Sequence, residues 1–454
     1  MDEITGLMTQ FAVQTNFDDL PDDASFYVKR GILDLIGCAC AGTLTDRGRI
    51  AVDVAAKLGG AQDATIIATP HKLSSTNAAF ANGELMNALD YDAMTDIGKH
   101  DVPIIVAAAL AIAESIGSAG KDLITAITIG LEVSTRLSSG KDRIQVATEN
   151  PPPVMGSSSA SIAAAIAAGR LLGLDSETMT NAIGISGFLC PPSTFKKWLE
   201  TRPVRMIKYG STGWGAQAGV TAALLAHSGY TGDTDVFDGE YGFWRFTGRS
   251  EAIAKEAFAD LGDKWLWRKI NFKRYPSGGV LSGVLNQFIH LIKTNHIKPD
   301  DISRITAYAP PIVGFKLFRE NELETPDDYC FNVRYLLSCA AHGIDFAYWQ
   351  RAETRRDKRI IDFMGSVDID VITDEQPAEP LEVVAKGKRY LGDAKSSRKP
   401  EPEDGTAYDE MVIGKFRSNV SSFMSSQDAD KIIEEVLSLD EVDTITSVMD
   451  LVRI

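Results

Sequence analysis

At 454 residues, 44% of them hydrophobic and 24% charged, the chain has the balance of a globular protein and the length for more than one core. Its net charge of −16 argues against nucleic acid as a partner, because a phosphate backbone needs a basic surface. Any anionic ligand must find a local positive pocket set against that overall field.

The N-terminus, Met1-Asp2-Glu3-Ile4-Thr5, lacks the basic and apolar regions of a signal peptide. Helical periodicity then predicts one helix after another: Phe26–Gly42, Thr76–Leu89, Pro103–Ile116, Leu123–Leu137, Ser159–Leu172, Glu177–Ser186 and Trp214–Ser228. Three of them are rich in Ala and Gly, so their axes can approach closely in a dense all-α domain. The longest charge-free stretches, Val102–Ala113 and Ser157–Gly169, are too short to span a membrane.

Near Trp265 the texture changes. Ile302–Ala309 and Val367–Ile372 alternate with period two, as half-buried strands do, and Leu381–Lys386 leads into a charged turn at Lys386–Gly392. Helices are predicted at Phe331–Ala341 and Asp345–Ala352. The expected organisation is therefore mainly α: a helical domain from residues 1–267, a smaller α+β domain from 268–404, and a C-terminal part, 405–454, returning to the helical domain. The smaller domain ends in the charged, proline-containing linker that starts at Lys395, and the last amphipathic helix is expected at Asp428–Leu437. Five cysteines (Cys38, Cys40, Cys190, Cys330, Cys339) with no Cys-X-X-Cys read as reduced core residues of a cytoplasmic protein, and no metal motif is present.

Four segments can carry chemistry. The first, Asp90-Tyr91-Asp92-Ala93-Met94-Thr95-Asp96-Ile97-Gly98-Lys99-His100-Asp101, gathers acids and one of only six histidines ahead of an almost uncharged helix. A histidine at that helix start feels its positive end, which lowers the imidazole pKa and favours a neutral base, while Asp90, Asp92, Asp96 and Asp101 oppose the shift. A solvated loop fits the same spacing. The second, Asn150 to Ser159, joins three prolines to a Gly/Ser helix start around Ser157, where free backbone amides can hold an anion. The third runs from Arg205 through Lys208 to Ser211 and Gly215; with no strand before it and no Gly-Lys-Ser/Thr after it, nucleotide binding is not expected. The fourth, Lys273-Arg274-Tyr275-Pro276-Ser277-Gly278-Gly279, sets two cations beside a turn at the expected domain boundary, where they can clamp a carboxylate. His227 and His342 read as core or near-surface residues, and His71, His290 and His296 have no partners at metal-ligand spacing.

In their order along the chain, these segments resemble the MmgE/PrpD family. The resemblance rests on Ala88-Leu-Asp-Tyr-Asp with His100, Gly130-Leu-Glu-Val with Arg136, Pro152-Pro-Val-Met-Gly leading to Arg170-Leu-Leu-Gly-Leu, Lys208 with Gly213 and Gly219, Asp238-Gly-Glu-Tyr-Gly-Phe, and Lys273-Arg-Tyr-Pro-Ser-Gly-Gly. It implies a helical domain with an inserted lid, a homodimer, and a cofactor-independent lyase, a dehydratase or decarboxylase of a small di- or tricarboxylate. Asp90, His100, Lys208 and Lys273 match that family's active-site positions, with Met94, Thr95, Asn150, Ser157, Ser211, Arg274 and Tyr275 expected around the substrate. His100 would be the acid/base and Asp90 its orienting partner. Three positions depart from the family pattern: Met94 stands at a threonine position, Asn150 at a histidine position, and Gly278 and Ser282 where relatives often supply another histidine. An asparagine hydrogen-bonds but does not transfer protons at neutral pH. The departures keep two alternatives open, an isomerase or epimerase of a small carboxylate and a weakened, carboxylate-binding relative.

Overall fold

The computed structural model describes residues 4–95, 98–139, 159–192, 194–247, 251–372, 381–393 and 405–454. The fold is mainly helical. The principal helices are α1 (Ile4–Gln14), α2 (Ala24–Gly42), α3 (Asp46–Leu58), α4 (Ser75–Asn87), α5 (Val102–Ile116), α6 (Gly120–Ser138), α7 (Ala160–Leu171), α8 (Ser176–Leu189) and α9 (Thr212–His227). Pro103 in the first turn of α5 and left-handed Gly117 at its end set the limits of that helix. Nearly all of α5 is buried, which explains why it carries almost no charge.

Small residues let these helices touch backbone to backbone. A Cβ at Gly219 of α9 would lie 2.6 Å from the Ala164 Cβ of α7, and one at Gly213 would lie 2.2 Å from the Phe80 carbonyl oxygen of α4. Gly213→Ala is therefore expected to force α4 and α9 apart, at a cost of about 1–3 kcal/mol, seen as a lower urea midpoint. The C-terminal helices α10 (Gly405–Val420), α11 (Ser426–Leu437) and α12 (Thr446–Leu451) pack Phe416, Ile432, Val436 and Met449 into the same core as α2, α4 and α5.

A second apolar core surrounds a four-stranded sheet, ordered β6-β5-β7-β8 if β1 is Ala64–Thr65, β2 Lys72–Leu73, β3 Met94–Thr95, β4 Ile270–Asn271, β5 Ile302–Ala309, β6 Val367–Val371, β7 Glu382–Ala385 and β8 Lys388–Leu391. Strand β5 runs parallel to β6, pairing Ile305 with Val367, and antiparallel to β7, pairing Ile305 with Val383. This core also takes in Trp198, Leu199, Val204 and Tyr209 from the segment that leads to α9.

Several expectations change. The turn is confined to Lys386–Gly387, both at positive φ as a tight hairpin requires, and Lys388–Leu391 continues as a strand. Asp345–Ala352 does not form one helix: the Asp345 carboxylate accepts the Ala347 N–H at 2.9 Å, leaving a short 3-10 turn at Phe346–Tyr348 and a separate turn at Ala352–Arg355. Helices α1 and α3 have no counterpart among the predicted elements. His227 is exposed rather than part of the core, while His342 is half-buried with Nδ1 2.9 Å from the Ser338 carbonyl oxygen. All five cysteines are buried and unpaired. Among the described residues no helix is long and apolar enough to cross a membrane.

Candidate active site

Helix α4 stops at Asn87, and Asp90 then takes a left-handed backbone, φ 52°. A non-glycine residue there is held against its own preference, so its surroundings must fix it. They do so from across the chain: β3 pairs with β4, setting Met94 opposite Asn271 and Thr95 opposite Ile270, which brings Lys273 beneath the Asp90 turn. A second left-handed residue, Lys208 with φ 49°, approaches from the other side.

The Lys273 ammonium donates to the Asp90 carboxylate at 2.8 Å, to the Asp90 carbonyl at 2.7 Å and to the Ser277 carbonyl at 3.1 Å. Lys208 Nζ stands 3.7 Å from Asp90 and donates to the Asn87 carbonyl at 2.7 Å. The Tyr209 hydroxyl donates to Asp90 at 2.9 Å. All these groups are buried. Burial works to raise the Asp90 carboxyl pKa, but Lys273, His100 and Lys208 together overcome it and hold the group below the ordinary carboxylate range. Asp90, Asp92 and His100 bring ligand atoms within 4.8 Å of one another, a spacing that would suit a metal ion. The two lysines already supply positive charge at that place, so the arrangement reads as an ion-pair cluster.

The nearest partner of His100 is Asp92, not Asp90. His100 Nδ1 lies 2.6 Å from the Asp92 carboxylate, whereas Nε2 is 3.7 Å from Asp90. Asn87 ties this pair to Tyr209. Its amide nitrogen has two hydrogens, directed to Asp92 at 2.9 Å and to the Tyr209 oxygen at 2.6 Å, and its oxygen accepts from Arg47 at 3.2 Å. The same amide nitrogen stands 3.3 Å from His100 Nδ1, but Asp92 at 2.6 Å decides the tautomer: an ionised carboxylate only accepts, so Nδ1 carries the proton. Nε2 is left with a free lone pair, and the ring is stacked on Tyr209 at 4.7 Å. Burial lowers the His100 pKa below its ordinary 6.5 and Lys273 adds to the shift, against Asp92 and Asp90. The direction agrees with the sequence reading, but burial is the main cause.

This arrangement has a sharp consequence. If neutral His100 is the base, activity rises through a pKa below 6.5 and stays level above it. Asp92→Asn removes a group that holds that pKa up, so the acid limb of kcat/KM is expected to move to lower pH. The loss of orientation is expected to lower kcat by about 10²–10⁴-fold, read from a pH–rate profile.

Beside His100 and Tyr209 opens a cavity of about 200 Å³. One wall is the start of α9, where Ser211 caps the helix by accepting the Trp214 N–H at 3.0 Å. Glu84 accepts from Ser211 and from the Gly213 N–H, and is itself held by Arg47 at 2.7 Å, so α3, α4 and α9 brace this wall. On the side away from the cavity, Lys415 of α10 bonds Asp34 at 2.7 Å and donates to the Tyr91 carbonyl at 2.5 Å, while Asp34 accepts the Ala93 N–H at 3.1 Å. The acidic segment is thus clamped from both sides.

The structure brings Asp90, His100, Lys208 and Lys273 together as expected, with Ser211 on the cavity wall. Met94 and Thr95 are buried in β3, and the Thr95 hydroxyl accepts the Lys99 N–H at 3.1 Å. Arg274 takes part through its backbone carbonyl, which accepts from Tyr91 at 3.1 Å. Tyr275 lies in the second core, its hydroxyl donating to Asn286 at 2.7 Å and its ring parallel to Trp349. Asn150 and Ser157 lie outside the described residues. Sequence reasoning missed the parts of Asp92, Asn87, Tyr209, Glu84 and Arg47. Asp92 and Tyr209 are near neighbours in sequence of Asp90 and Lys208, which was the available signal.

A buried acid–base set, two ammoniums and an adjoining cavity on a helical scaffold define an enzyme. The family model for the MmgE/PrpD N-terminal domain matches residues 7–255, more than half of the chain, so the protein belongs to the MmgE/PrpD family. Human cis-aconitate decarboxylase is 25% identical over 443 residues, covering 91% of this chain and 87% of its own length. The Aspergillus terreus cis-aconitate decarboxylase is 27% identical over 295 residues, covering 62% of this chain and 58% of its own.

Proposed function

We propose that the protein is a lyase, working without a cofactor, that removes water or carbon dioxide from a small di- or tricarboxylate. The observation that carries this reading is the buried His100 on the cavity wall, with Nδ1 2.6 Å from the Asp92 carboxylate. In the dehydration form, Nε2 takes a proton from the carbon next to a carboxylate, and the C–H electron pair is spread into that carboxylate. Lys208 and Lys273 stabilise the added negative charge, and the β-hydroxyl leaves as water when it takes up a proton. In the decarboxylation form the C–C electron pair left by carbon dioxide takes up a proton instead. Asp90 pairs with the two lysines and holds them in place.

Among the described residues one histidine reaches the cavity, which fits chemistry with a single proton transfer at carbon better than a two-base epimerisation. We take residues 268–404 as the lid that delivers Lys273, and a homodimer as the working unit, as the family resemblance implies. Relatives named as cis-aconitate decarboxylases support the carboxylate substrate, and five buried free cysteines fit a reducing, cytoplasmic setting.

The test is a panel of citrate, 2-methylcitrate, cis-aconitate and hydroxy-acid analogues in deuterated buffer. Formation of an alkene, its hydration product or carbon dioxide supports the lyase. Deuterium at carbon with nothing expelled identifies an isomerase or epimerase. Thermal protection by ligands with no turnover identifies a binding relative.

A further inference from the structure

The cavity beside His100 is large for what its walls can bind through charge. Its described apolar lining is Ile104, Pro191, Pro192, Ile207 and Trp214, and no lysine or arginine is among its described lining residues. At the mouth, Ile207 is 58% and Trp214 50% exposed, two large apolar side chains with much of their surface in water. An apolar cavity of about 150 Å³ takes up benzene, so one of about 200 Å³ has room for a group of that size.

The electrostatics point the same way. Lys208 and Lys273 already pair with Asp90, and Arg47 with Glu84, so the cations of the site carry little charge to spare for a further ligand carboxylate. A ligand carboxylate beyond those the two lysines can serve would be buried against apolar walls without a partner, which is costly. One polar group does point to a ligand: the Ser161 hydroxyl lines the cavity, is fully buried, and among the described residues has only the weakly bonding Cys190 thiol as a partner, no oxygen or nitrogen.

We propose that the substrate is a dicarboxylate bearing an apolar alkyl or aryl substituent, which lies between Ile104, the Pro191-Pro192 turn, Ile207 and Trp214 where a tricarboxylate would carry its third carboxylate. This rests on the carboxylate-lyase reading and narrows it. Ser161 donates to an oxygen of the ligand near the substituent. The charged half of the ligand lies toward the lysines.

Calorimetry with benzylsuccinate and with propane-1,2,3-tricarboxylate tests the assignment, because the two share a succinate core and differ in one substituent. Benzylsuccinate is expected to bind at least about tenfold tighter. Ile207→Lys, at an exposed side chain outside the acid–base set, is expected to weaken benzylsuccinate and strengthen the tricarboxylate. Equal affinities, tighter tricarboxylate binding, binding of neither, or an unchanged preference in the Ile207 variant overturns the proposal. Binding is read without turnover. A chain that prefers benzylsuccinate yet forms neither alkene nor carbon dioxide from any acid keeps the substituent assignment and loses the lyase reading.

Discussion

Glutamine in place of His100 is expected to lower kcat by about 10²–10⁴-fold while leaving the affinity for a carboxylate inhibitor nearly unchanged. Glutamine can still donate to Asp92 and fill much of the ring's volume, so the fold and the charge balance around Asp90 survive. What it lacks is a basic nitrogen at the position of Nε2. A loss confined to kcat, with kcat/KM falling in proportion, is the pattern of an interaction made only in the transition state. Steady-state kinetics beside inhibitor titration check it. Full turnover in the variant would move the proton transfer to another group.

The second large effect falls on Lys273. Its ammonium satisfies a carboxylate oxygen and two carbonyls within a buried space, and it is the closest cation to Asp90. Lys273→Met keeps the stem but leaves Asp90 with Lys208 at 3.7 Å as its nearest ammonium. Breaking a buried pair from one side costs about 3–5 kcal/mol, so the urea midpoint is expected to fall clearly. The Asp90 carboxyl, held low in part by Lys273, should rise in pKa. Stability contributed by a carboxyl of depressed pKa is present above its unfolded value and lost as pH falls toward the folded one. The variant should therefore lose more stability at neutral pH than at acid pH, where Asp90 is protonated in the unfolded chain and in the variant. Asp90→Asn together with Lys273→Met should recover part of the loss, since the buried charge is then gone. Urea titrations at two pH values for the single and double variants measure both expectations.

Much of this site is legible in the sequence because its residues fall in short polar segments between apolar ones. The cluster from Asp90 to His100 precedes a helix with almost no charge, and Lys208 and Lys273 each precede a glycine-rich turn. The division of labour within the cluster is not legible. Asp90 and Asp92 are two residues apart, and which one meets His100 depends on the left-handed turn at Asp90 and on a strand pairing with Ile270 far along the chain. The family resemblance implies Asp90 as the orienting acid; the folded backbone sets Asp92 nearest to His100. Asn87 was equally hidden, because at the end of α4 it reads as one more helical residue, while its amide nitrogen links Asp92 to Tyr209 beside His100. The main strands were readable from alternation alone. Asp345–Ala352 was not, since an aspartate bonding its own backbone outcompetes helical periodicity.

The most direct test of the central claim is the protonation state of one imidazole. Nitrogen-15 NMR of labelled protein, with the His100 signals assigned by their absence in His100→Gln, reports which ring nitrogen carries the proton and where it titrates. The expected result is a neutral ring protonated at Nδ1, with a bare Nε2 and a pKa below 6.5. A ring protonated at Nε2, or one that titrates at or above 6.5, would contradict the assignment of His100 as the neutral base.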